Sequence, residues 1–214
     1  MHHFTWVETF ENISKWLLDY EDQQEYLIEL LQKIGVEGGL EDKNGDGKKF
    51  LLKEIDPFTF MALILKYKDE TRNNFLLKLN ELENLNLDIP KDYYGVPRSN
   101  AQSTWLFAYK AERKEQDIPL LWALFRSVHE KLEIAELFNS ALEIKQTAIG
   151  SLSQMLFVLF PHDFFPIDKQ TKAWLIKMDM LKPTVKLTWD NYKAVLDHLN
   201  KNLKASFPAI SYTF

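Results

Sequence analysis

Asp42-Lys43-Asn44-Gly45-Asp46-Gly47 places oxygen donors at the first, third and fifth positions and a glycine at the sixth, the opening half of a calcium-binding EF-hand loop. The second half does not follow. The twelfth position, normally the bidentate glutamate of a site needing about six to eight oxygens, is Lys53. Glu54 comes one residue late, and the usually apolar eighth position is Lys49. A solvated Gly/Asp turn with no bound metal is therefore expected. His129-Glu130-Lys131-Leu132-Glu133 has the spacing of a zinc-protease helix, but its second histidine is Glu133, so an exposed His129 on a polar helix face is expected. Glu143-Ile144-Lys145 could close a magnesium-dependent nuclease motif, yet no suitably placed Asp on a preceding strand accompanies it. Gly47-Lys48 lacks both the upstream glycine and the following hydroxyl of a phosphate loop, and there is no Gly-x-Ser-x-Gly elbow. No catalytic residue and no cofactor is assigned, and the expectation is a module that is not an enzyme.

Chemistry of recognition has better material. Tyr93-Tyr94-Gly95-Val96-Pro97-Arg98 joins two rings to a cation in a segment interrupted by Pro90, Gly95 and Pro97. Rings in such a connection have few helical neighbours to bury them and can stack on unpaired bases, while Arg98 can meet a phosphate. Lys110, Arg113 and Lys114 extend the cationic set, and Lys169, Lys172 and Lys177 form a second surface at helical spacing whose ordinary role is a solvated face. Phe157, Phe160, Phe164 and Phe165, around Pro161 and Pro166, read as core.

The elements that must position these residues are helical. Phe10, Ile13, Trp16 or Leu17, Tyr20, then Leu27, Leu30, Leu31 and Ile34 recur at helical spacing up to a stop at Gly35, which predicts a helix or a helical pair broken near Glu21-Asp22. Residues 35–49 hold five glycines and alternating charge, the composition of an exposed loop. Asp56-Pro57 starts a helix expected over roughly 58–82. An irregular connection follows from Asp88 to Ser103, and Trp105–Tyr109 fits either a short strand or the start of a helix, of which the helix is the expectation. Asp117 caps the next helix, and further helices are expected at 132–143, 150–160, 168–179 and 189–204, with Ser151, Asp168 and Asp190 at cap positions. The fold class is mainly α: a compact multi-helix domain with an irregular, loop-rich middle segment, a single domain over 1–214 with a possible subdivision at 104/105.

Composition agrees. The 214 residues are 46% apolar and 14% aromatic, with fifteen Phe and six Trp, enough for a packed interior without a staple. Cysteine is absent, which excludes disulfides, thiolate metal sites and cysteine nucleophiles and fits a reducing compartment. No apolar run approaches the ~20 residues that span a bilayer, so a cytoplasmic location and no membrane partner are expected. The net charge of −5 argues against non-specific coating of nucleic acid; residues 1–139 carry 17 basic and 25 acidic side chains, whereas 140–214 carry 9 and 6.

Taken in order, Ile55-Asp56-Pro57-Phe58-Thr59-Phe60, Arg72-Asn73, Tyr94-Gly95-Val96-Pro97, Trp105, and Asp117 through Leu121-Trp122 to Phe125 form a series. It continues with Leu156-Phe157, Phe160-Pro161, Phe164, Asp168 and Ser206-Phe207-Pro208 to Ser211-Tyr212. Over roughly residues 50–214 this series resembles the N-terminal region ahead of the motor in McrB-like restriction proteins. The resemblance implies a defence system in which a variable N-terminal domain recognises DNA, sometimes modified DNA, an AAA+ ring hydrolyses nucleotide, and a separate nuclease subunit cuts. No Walker motif lies within this sequence, so hydrolysis and cleavage attach to no residue here and are expected on a motor region and a partner. The expectation is a non-catalytic recognition domain binding DNA through Arg98, Lys110, Arg113 and Lys114, with Tyr93 or Tyr94 stacking. The alternative is a helical protein-interaction scaffold that never touches nucleic acid.

Overall fold

Trp6, Phe10, Ile13 and Leu17 lie on one face of α1 (Trp6–Leu17) and are fully buried there. A 3-10 turn over Leu18–Gln23 leads into α2 (Gln24–Ile34), so the break near Glu21-Asp22 is real. Helix α2 ends on Gly35, whose φ of +102° is left-handed backbone that a residue with a Cβ reaches only with strain. The computed structural model describes residues 3–97, 99, 101–102, 104–184 and 186–214.

Helix α3 (Pro57–Leu65) is the centre of the fold. Asp56 caps it, one carboxylate oxygen accepting from the Phe58 and Thr59 amides at 2.9 and 3.0 Å, and Pro57 at the first position forfeits no hydrogen bond. Every residue of α3 is buried, as a helix apolar on all sides must be. The single helix expected over 58–82 is instead two. The chain turns at Lys66–Lys68, and α4 (Asp69–Glu83) begins afresh with an acidic first turn. Arg72 bridges the break, donating to the Leu65 carbonyl at 2.5 Å and to Asp69 at 3.1 Å.

The glycine-rich stretch is not merely a loop. Glu41–Lys43 (β1) pairs antiparallel with Lys49–Leu51 (β2), Asp42 opposite Phe50. Among the described residues the chain from Asn84 to Gln116 contains no helix or strand. That segment includes Trp105–Tyr109, which is neither helix nor strand and bends at Leu106 and Phe107. The reason is tertiary: the Leu106 amide donates to Thr59 Oγ1 at 3.1 Å, its carbonyl accepts from the Thr147 hydroxyl, and the Trp105 indole donates to the Gly39 carbonyl at 2.6 Å. With those partners the backbone needs no helical ones.

Helices α5 (Asp117–His129), α6 (Ala135–Ala141), α7 (Ile149–Leu159), α8 (Lys169–Lys177), α9 (Trp189–Asn202) and α10 (Phe207–Ser211) complete a mainly helical chain. Asp168 caps α8 as expected. Asp117, Ser151 and Asp190 instead sit inside the first turns of their helices; Asp117 accepts from the Lys114 amide at 3.0 Å and Ser151 from the Ala148 amide at 3.2 Å. Short α10, capped by Ser206, adds to the helices expected from periodicity. One contiguous apolar core runs from Trp6 to Ile210 across the 104/105 boundary and includes Phe157, Phe160, Phe164 and Phe165. No helix among the described residues is long and apolar enough to cross a membrane.

Candidate recognition trough

The Tyr93–Pro97 segment is held from both ends of the chain. Asp92 accepts from the amide and hydroxyl of Thr5 at 3.1 and 2.7 Å, and the Trp6 indole donates to the Tyr94 carbonyl at 2.8 Å. The Ser211 hydroxyl donates to the Gly95 carbonyl at 2.6 Å. Gly95 has φ +77°, and a Cβ there would lie 2.5 Å from the Pro208 carbonyl oxygen, so only glycine lets the turn seat on α10. The two tyrosines then part company. Tyr93 points inward, donating to Asn73 Oδ1 at 2.7 Å with the Arg72 guanidinium 5.1 Å from its ring centre, and burial pushes its phenol well above the usual range. Tyr94 points outward beside Tyr212, ring centres 4.8 Å apart. Arg98 lies outside the described residues.

The remaining expected cations also divide. Arg113 is consumed by the fold: its side chain is 7% exposed and donates at 3.0 Å to Asp42, itself 1% exposed, and at 3.4 Å to Glu54, while lying 5.0 Å from the Phe107 ring centre. This removes Arg113 from the cations a ligand can meet. The other Asp42 oxygen accepts from the Lys43 and Lys110 amides at 2.7 and 2.8 Å. The first donor of the half EF-hand pattern therefore faces the protein and not the loop, and among the described residues no cluster of three or more metal-ligating side chains occurs. Lys110 and Lys114 are exposed, as are Lys169 and Lys177, whereas Lys172 is half-buried. His129 is not on an open polar face: it is half-buried between Phe125 and Phe160, ring centres 4.8 Å away on either side, with Ser14 Oγ 2.9 Å from Nε2. Burial pulls its pKa below the ordinary histidine value.

Three adjoining recesses gather what the fold leaves exposed. The first, about 240 Å³, lies against the hairpin and is lined by Lys43, Lys49, Gln102, Trp105, Tyr109 and Gln146, among others. The second, about 270 Å³, shares Thr104 and Gln146 with the first and reaches the start of α7 at Ala148–Ser151. The third, about 600 Å³, shares Gln154, Asp168 and Lys169 with the second and ends against Gly95–Pro97, Tyr212 and Phe214. Through those shared residues the three adjoin in series, here called the trough, with rings at both ends: Tyr109, Tyr212 and Phe214 are 43, 40 and 40% exposed.

The electrostatics of the lining favour an anion. Asp42 is committed to Arg113, Asp168 to the α8 amides, and Glu41 to Lys49 at 2.9 Å, whereas Lys43 and Lys169 make no ion pair with any described residue. Ammonium groups, primary amides and exposed rings can bind a charged, planar ligand. Sequence reasoning singled out Lys169 of this lining but missed Lys43, Lys49, Gln146, Gln154 and Tyr109 as neighbours. Only the ring run at 105–109 signalled any of them, because the trough assembles residues more than a hundred positions apart.

A family described as Domain of unknown function (DUF8425) matches residues 6–213. No curated protein and no solved structure matches the chain.

Proposed function

The chain belongs to the DUF8425 family, and we propose that it is a non-catalytic recognition domain that binds DNA along the trough. Lys43 and Lys169 meet phosphates, Lys110 and Lys114 extend the cationic rim, and Tyr109, Tyr94 and Tyr212 stack on bases. In this reading the domain serves a McrB-like restriction or anti-phage protein in the cytoplasm, with an AAA+ motor region and a nuclease subunit supplying the chemistry. The observation that carries the proposal is the adjacency of three recesses that share lining residues, with Lys43 and Lys169 between terminal rings. Rings stack on unpaired bases and not on paired ones, so single-stranded DNA is the tighter ligand.

The test is a fluorescence-anisotropy titration with single- and double-stranded oligonucleotides, methylated and unmethylated, at two salt concentrations. Saturable binding that weakens with salt supports the reading. Absence of binding at low salt overturns it and leaves a protein-interaction scaffold.

A further inference from the structure

Gln146 stands out within the trough because the fold holds it where glutamine is least comfortable. The Thr147 amide closes a turn onto the Ile144 carbonyl at 3.0 Å, which makes Lys145 and Gln146 its two central residues. Gln146 has φ +81°, the left-handed third position of a type II turn, where glycine or asparagine is the usual occupant. Its neighbours fix it from both sides. Lys145 Nζ donates to Glu112 at 2.6 Å, and the buried Thr147 donates its hydroxyl to the Leu106 carbonyl. Strain over-determined by its surroundings is a mark of functional positions. The side chain it presents is exposed, forms no hydrogen bond with any described residue, and lines both the hairpin recess and the central recess.

We infer that Gln146 is the specificity-determining residue of the trough, its amide reading the edge of a planar ligand that offers an acceptor beside a donor. The inference rests on the DNA reading. A primary amide gives one N–H and takes one, in the plane of its own group; an unpaired strand offers that complement at adenine N7 with the N6 amino group, at adenine N1 with the same amino group and at cytosine N3 with its N4 amino group, and the N7 edge is the one assigned here to Gln146. Lys145 and Thr147 hold the turn, so the amide is presented without the entropy cost of ordering a loose loop.

The experiment compares two labelled single strands of equal length, one containing adenine and one containing 7-deazaadenine, which lacks the N7 acceptor. Wild-type protein and Gln146→Gly are titrated with each at two salt concentrations. Glycine suits the backbone, so the variant folds, and its melting temperature rises by roughly 2–4 °C as the strain is relieved. The wild type is expected to prefer adenine over the deaza strand by about tenfold, and Gln146→Gly to lose that preference while keeping the salt dependence of binding. Equal affinity of the wild type for both strands, or a preference that survives in Gln146→Gly, overturns the inference and leaves the DNA reading intact. A melting temperature that falls overturns the strain argument. If the wild type binds neither strand at low salt, the DNA reading itself fails and this inference with it.

Discussion

Replacing Arg113 by methionine separates a structural cation from a ligand-binding one. The guanidinium contacts Asp42 at 3.0 Å where both side chains are buried, at 7 and 1% exposure. Methionine keeps much of the volume but leaves the Asp42 carboxylate supported only by the Lys43 and Lys110 amides, with its second oxygen bare. Losing one partner of a buried, hydrogen-bonded pair costs about 3–5 kcal/mol, most of it the uncompensated charge. The two amides that remain place the expectation near the lower end, and the exposed Glu54 contact adds little. With a urea m-value of about 3 kcal/mol/M, the unfolding midpoint should fall by roughly 1 M or more. The double variant Asp42→Asn/Arg113→Met removes both charges and should regain at least half of that loss. A midpoint shift below about 0.3 M for Arg113→Met, or strict additivity in the double-mutant cycle, would refute the assignment. At a temperature where the variant stays folded, its oligonucleotide binding should keep the wild-type salt slope.

Gly95→Ala forces a Cβ to 2.5 Å from the Pro208 carbonyl at a φ of +77°, and should cost about 2–4 kcal/mol in calorimetry; a cost under about 1 kcal/mol would show that α10 does not clamp the turn. Asp56 is fully buried and desolvation raises its carboxyl from 3.8 to about 6. The folded state therefore holds that proton more tightly than the unfolded chain, and stability falls as pH rises through this interval. Relative to Asp56→Asn, the wild type should lose about 2–3 kcal/mol between pH 4 and 7, at about 1.4 kcal/mol for each pH unit by which burial raises the carboxyl; parallel stability profiles would contradict this. His129, depressed by burial, should titrate below its ordinary 6.5 by NMR, so its contribution to stability is lost as pH falls through that ordinary value. A value at or above 6.5 would place the ring in water.

What could be read from sequence was what local physics decides. Asp56-Pro57 and Asp168 announce helix starts because a cap bonds amides two and three residues away. Gly35 announces a stop for an equally local reason. The hairpin has no such signal: Glu41-Asp42-Lys43 shows no apolar alternation, and Asp42 is anchored by a residue 71 positions later. Trp105–Tyr109 is a short ring-rich run that periodicity cannot assign, and Thr59 and Thr147 decide it. Tyr93 and Tyr94 are equivalent in sequence; tertiary partners, among them Asn73, Arg72 and Trp6, determine which faces out. Arg113 and Lys114 are likewise adjacent, yet one neutralises a buried acid and the other stays exposed. The trough itself has no linear signature, because Lys43, Gln146, Lys169 and Tyr212 come to line adjoining recesses only in the folded chain.

The most direct measurement is the salt dependence of single-stranded oligonucleotide binding by the wild type and by Lys43→Ala/Lys169→Ala. If the trough binds DNA through these lysines, the double variant binds more weakly and its log–log salt slope is shallower by about 1.4, at about 0.7 for each phosphate that a lysine no longer neutralises. A slope equal to that of the wild type, or a wild type that does not bind at low salt, would contradict the account.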